Sequence, residues 1–109
     1  MHKHRAFITS LLQNTDEGRR SQIRQATVSE LCAVCEIVKN LLRNPTLRLK
    51  LKPAQRRILR RNREHLEKLI GREVSVDKKR RLLQRGGFLL PLIATLAVPI
   101  LSRIFGGSE

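Results

Sequence analysis

The sequence predicts an all-α protein, a small helical bundle of three to four helices with a hydrophobic, proline-containing helix at its C-terminal side. Three observations predict it. Apolar residues recur at three- and four-residue steps between Val28 and Leu42, the spacing of one buried helical face. Pro45, Pro53 and Gly71 stand at the edges of such runs, where helices begin and stop. The one stretch with a two-residue period, Leu47, Leu49 and Leu51 alternating with Arg48, Lys50 and Lys52, has no second strand to pair with and reads as an extended linker.

In chain order, a short helix is expected over Arg5–Gln13, with Ala6, Phe7, Ile8, Leu11 and Leu12 apolar, ending in the polar run Asn14-Thr15-Asp16-Glu17-Gly18. The next runs from Thr27 to Arg43. Thr27 and Glu30 have the spacing of a capping box, and Val28, Leu31, Val34/Cys35, Val38 and Leu41/Leu42 form its inner face. Asn44-Pro45 stops it. A third helix starts with Pro53 in its first turn, where the missing N–H costs nothing, and runs to Ile70 before Gly71. Its apolar face is Ile58/Leu59, Leu66 and Leu69/Ile70; Arg57, Arg61, Lys68 and Arg72 line another face beside Arg56, Arg60 and Arg63. Ser75 caps a fourth helix carrying Asp77-Lys78-Lys79-Arg80-Arg81-Leu82-Leu83, closed by Gly86-Gly87.

Beyond Gly87 the chain from Phe88 to Leu101 holds fourteen residues without a charge. A bilayer span needs about twenty. Pro91 falls in a first turn and is tolerated, whereas Pro99 kinks any helix here. Pro91, Thr95, Pro99, Ser102 and Arg103 share one side, leaving a broad apolar side of Phe88, Leu89, Leu92, Ile93, Leu96, Ile100, Leu101 and Ile104. The segment reads as a helix that lies in a membrane interface or buries itself in a partner. A C-terminal helix that completes the core is the alternative.

Charge divides the 109 residues into three regions. Residues 1–47 form an N-terminal helical region, net +3, and residues 86–109 an apolar tail, net zero. Residues 48–85 hold fifteen Lys and Arg against four acids, net +11 of the chain's +14, which marks a polyanion-binding middle. With three Phe and no Trp or Tyr, the chain lacks the exposed rings on which single-strand readers stack bases, so contact with phosphates is favoured. The candidate nucleic-acid-binding residues are Arg56, Arg57, Arg60, Arg61, Arg63, Lys68, Arg72, Lys78, Lys79, Arg80, Arg81 and Arg85. Lys78–Arg81 also matches the pattern of a nuclear-import patch.

Nothing in the sequence points to catalysis, a cofactor or a metal. Cys32 and Cys35 have CxxC spacing, but a redox pair places its first thiol at a helix N-terminus. These two fall inside a helix and read as buried small hydrophobes. His2 and His4 are the weaker alternative, as partners of the thiols in a zinc site. No Ser/His/Asp set, carboxylate pair or phosphate-cradling glycine loop is present, so the chain is expected not to be an enzyme. Two cysteines make no disulfide framework, and Met1–Arg5 is not followed by the long apolar region of a signal peptide.

The junction Leu82-Leu83-Gln84-Arg85-Gly86-Gly87-Phe88-Leu89-Leu90-Pro91-Leu92-Ile93, with a second Pro-Ile at Pro99-Ile100, resembles the precursor of adenovirus core protein X, the mu peptide. There an Arg-rich DNA-condensing region meets Arg-Gly-Gly and then an apolar, proline-containing tail. Similar modules occur in the adenovirus-like structural genes of adintoviruses and Maverick/Polinton elements. The likeness covers roughly residues 76–105 and does not extend to residues 1–70. It implies processing by an adenovirus-type cysteine protease, which cuts after Gly-Gly when Met, Ile or Leu stands four residues before the scissile bond. Ile104-Phe105-Gly106-Gly107 before Ser108 fits that pattern; Gln84-Arg85-Gly86-Gly87 departs from it at Gln84.

The resulting expectation is a minor virion or core protein that binds and condenses double-stranded DNA through its phosphates, in the virion and the host nucleus. Its tail would contact capsid proteins or a membrane, and self-association would bury further surface. The alternatives are a small intracellular cationic protein on a membrane, tail-anchored or lytic, and a cellular nucleic-acid-binding accessory protein whose tail is core.

Overall fold

The computed structural model describes residues 4–84 and 89–100, and every regular element among them is helical. The order is α1 (Arg5–Gln13), α2 (Asp16–Gln25), α3 (Val28–Arg43), α4 (Pro45–Arg48), α5 (Pro53–Arg61), α6 (Arg63–Leu69), α7 (Val76–Gln84) and α8 (Leu89–Ala97), followed by a 3₁₀ turn at Val98–Ile100. The all-α class stands. The helix number does not: eight are present among the described residues where three to four were expected.

Local chemistry explains both the agreements and the difference. Thr27 and Glu30 form the full capping box, with Glu30 N–H donating to Thr27 Oγ1 (3.1 Å) and Thr27 N–H to Glu30 Oε1 (2.9 Å). Pro53 opens α5, and Ser75 Oγ accepts from Lys78 N–H at 3.2 Å at the start of α7. The polar run after α1 is not a loop but the start of α2. Thr15 Oγ1 accepts from Gly18 N–H (3.1 Å), and Asp16 and Glu17 sit in the first turn, where the helix dipole favours anions. This helix buries only Ile23, so it has no apolar period to read.

Residues 46–52 are not extended either. Asn44 Oδ1 accepts from Leu47 N–H and Pro45 opens the single turn of α4. Leu47 and Leu51 are buried while Leu49 is 70% exposed. The relevant spacing is four, not two. Finally, the third expected helix is cut at Asn62, which leaves helical geometry (φ −107°, ψ 12°) while its side-chain amide (2.9 Å) and backbone N–H (3.1 Å) both donate to the Ile58 carbonyl.

One aliphatic cluster unites the helices. It takes Ile8, Leu11 and Leu12 from α1, Ile23 from α2, and Leu31, Val34, Ile37, Val38, Leu41 and Leu42 from α3. Leu59, Leu66, Leu69 and Leu83 join it from α5, α6 and α7. No polar side chain is buried among the described residues. Val28, assigned to the inner face, is instead 55% exposed.

Helix α8 belongs to this cluster. It packs against α1, α2, α3, α5 and α7 and buries Leu89, Leu90, Ile93, Ala94, Leu96 and Ala97, with Ile100 following in the 3₁₀ turn. Each fully buried Leu or Ile stabilises the fold by roughly 1.5–3 kcal/mol. Of the residues expected on a membrane- or partner-facing side, Leu89, Ile93, Leu96 and Ile100 face the chain's own helices in this fold and Leu92 is half-buried against them. A helix surrounded by others is apolar on all sides, and composition alone does not separate it from a membrane-seeking one. Pro91 does sit in the first turn, and α8 stops two residues before Pro99. No single helix among the described residues is long and apolar enough to cross a membrane. The division of the sequence by charge is thus not a division of the packing. Phe88, Leu101 and Ile104, with Arg85, Gly107 and Ser108, lie outside the described residues.

Candidate nucleic-acid interface

Four cationic side chains are turned toward helix ends rather than toward solvent. A helix leaves its last carbonyls without backbone partners and carries partial negative charge there, so a guanidinium or ammonium is stabilising. Arg19 donates to the Leu11 and Leu12 carbonyls at the end of α1 (3.1 and 2.9 Å), and Arg48 donates to Leu42 O near the end of α3. Lys79 Nζ reaches Leu69 O and Gly71 O at the end of α6 (2.9 and 3.1 Å). Arg80 Nη1 gathers the carbonyls of Ile23, Arg24 and Ala26 at the end of α2 (2.8, 3.3 and 2.8 Å).

Two of the expected phosphate-binding residues, Lys79 and Arg80, are therefore structural caps. Arg63 is also engaged, with Nε 3.3 Å from Glu67. The same carboxylate receives a two-pronged contact from Arg43 of α3 (2.8 and 2.9 Å). That hydrogen bond, more than the cations' charge, holds Glu67 below the usual carboxylate range.

The remainder behave differently. Arg57, Arg60, Arg61, Lys68, Arg72, Lys78 and Arg81 are exposed and Arg56 is partly so, and none makes a side-chain hydrogen bond or ion pair among the described residues. Arg57 and Arg61 share α5, Lys68 belongs to α6 and Arg72 to the turn beyond it. They do not form the continuous row expected of one long helix.

The fold also assembles cations that the sequence reading left out. Arg48 joins Arg56, Arg60 and Arg63 around a half-open groove of about 350 Å³, with Pro45, Leu49 and Leu59 as its apolar lining. Lys39 and Arg43 of α3 meet Arg72 around a second hollow of about 260 Å³, shared with Glu67, Ile70 and Gly71. Only their late position in α3 and α4, next to a helix end, offered a hint. The pairing itself is non-local.

The cysteines also depart from expectation. Cys32 is exposed and Cys35 half-buried beside Lys79. Burial pushes the Cys35 thiol up, with Lys79 opposing. His4 Nε2 lies 2.6 Å from Ser29 Oγ, and His2 is outside the described residues. Among the described residues no three His, Cys, Asp or Glu side chains gather as a metal site.

Compared with protein-family models, curated proteins and solved structures, the chain matches none.

Proposed function

We propose that this chain is a non-enzymatic nucleic-acid-binding protein that neutralises the phosphates of double-stranded DNA with the exposed cations of α5, α6 and α7. One observation carries the reading. In a fold that uses several of its cations as caps and ion pairs, Arg56, Arg57, Arg60, Arg61, Lys68, Arg72, Lys78 and Arg81 have no side-chain partner among the described residues. Cations held in solvent at this density serve phosphate neutralisation, in which each contact releases condensed counterions.

The likeness to adenovirus core protein X extends the proposal to a minor virion protein that condenses packaged DNA in the virion and host nucleus, with capsid contacts or self-association around it. A second reading, a cellular nucleic-acid-binding accessory protein, gains support from the burial of α8, because that reading alone makes the tail core. The same burial weighs against a tail-anchored or lytic membrane protein.

Fluorescence anisotropy on a labelled duplex as a function of salt tests the proposal. With six to ten cations engaged, affinity falls by about three to five decades between 50 and 200 mM salt. Retention indifferent to salt, or none near physiological ionic strength, rejects it.

A further inference from the structure

We propose that the groove between α4 and α5 is a docking site for an acidic peptide segment of a partner protein, one that carries a single bulky apolar side chain among its carboxylates. The inference shares Arg56 and Arg60 with the proposed DNA surface and differs from it in the use made of the groove's apolar lining.

Charge complementarity sets the first half of the ligand. Arg48, Arg56, Arg60 and Arg63 line the groove, and no acidic residue does. All four cations are arginines, whose planar fork matches a carboxylate in two places at once. Two are already oriented: Arg48 by its bond to Leu42 O and Arg63 by Glu67. Arg56 and Arg60 carry no side-chain partner among the described residues. A half-oriented cluster loses less side-chain freedom on binding than four mobile arginines would.

The apolar lining sets the second half. Pro45, Leu49 and Leu59 contribute hydrocarbon between the guanidiniums. Leu49, at 70% exposure, is the most exposed large apolar side chain among the described residues, and the fold gives it nothing to cover it. A sugar–phosphate backbone makes no use of such a surface. A membrane presents a flat face, whereas this site is a hollow of about 350 Å³, within the size range of a side-chain or ligand pocket. An acidic peptide with an apolar anchor uses both the charge and the hydrocarbon.

The test uses the full chain and a short fluorescein-labelled peptide of Asp and Glu around one central Phe, beside the same peptide with a central Ala. The Phe peptide is expected to bind about tenfold more tightly, the value of burying one large apolar side chain. Leu49→Ser should erase that preference while leaving helicity and duplex-DNA affinity unchanged. Arg56→Gln with Arg60→Gln should weaken both peptides at least tenfold. Equal binding of the two peptides by the unaltered chain overturns the proposal. So does joint loss of peptide and DNA binding in Leu49→Ser, which would make Leu49 a structural support of the cation surface rather than a peptide anchor. Retention on phosphatidylserine vesicles that depends on Leu49, without a preference between peptides, overturns it in favour of a lipid surface.

Discussion

Helices α5 and α7 are each nine residues long and each carry four cations, yet they spend them differently. In α5, Arg56, Arg57, Arg60 and Arg61 meet no acid or carbonyl among the described residues. In α7, Lys79 and Arg80 point inward to the ends of α6 and α2, and only Lys78 and Arg81 remain in solvent. What separates the two is where neighbouring helices end. A cation beside an open C-terminus becomes part of the scaffold, and one that faces no such end stays available to a ligand. Charge count therefore overstates the cations that α7 holds in solvent and describes those of α5 well.

The largest expected effect sharpens this contrast. Replacing all four α5 arginines by Gln should lower the salt slope of duplex-DNA binding by about three to four, near 0.9 for each lost phosphate contact, with little change in thermal stability. An equal loss from Lys79→Gln with Arg80→Gln would break the comparison. Next in size, Arg80→Ala removes the cap of α2 and should cost about 2 kcal/mol of stability in urea unfolding, because several carbonyls lose a charged donor. Its DNA affinity at matched salt should hardly move.

A smaller effect reads the inward field of α7. Lys79 opposes the burial that raises the Cys35 thiol, so Lys79→Met should push that thiol higher still. The pH profile of Cys35 alkylation then shifts upward, while exposed Cys32 reacts first in both proteins. The smallest concerns Glu67, whose folded-state carboxyl is held low by Arg43. Its contribution to stability is present above the ordinary carboxylate value of about 4.3 and disappears as pH falls through the lowered folded value. Glu67→Gln should therefore melt slightly earlier than the unaltered chain at neutral pH, and the two curves should converge in acid. It also releases Arg43 and Arg63, so DNA affinity at low salt should rise slightly.

The sequence was most legible where structure is local. The bounds of α1, the Thr27–Glu30 box, Pro53 at a helix start and Ser75 at another all rest on neighbours within a few residues. Helix α2 escaped notice because it contributes one core side chain and is otherwise polar. Leu47 and Leu51 were hidden by an exposed Leu49 that mimics alternation. The candidate site was legible as a composition and not as a geometry. Nothing near Arg80 in sequence says that its partners stand more than fifty residues earlier. Nor does an uncharged run with two prolines reveal whether it covers the chain's own core or a foreign surface, since both demand the same side chains.

The packing of α8 on α1, and of α7 on α2, joins segments that stand far apart along the chain. During synthesis Ile8, Leu11 and Ile23 emerge long before Ile93 and Leu96, the side chains that shelter the same core. That core closes only after α8 has been made, and contacts so distant along the chain slow folding. Through that interval an unshielded aliphatic surface and a strongly cationic segment coexist on one nascent polypeptide.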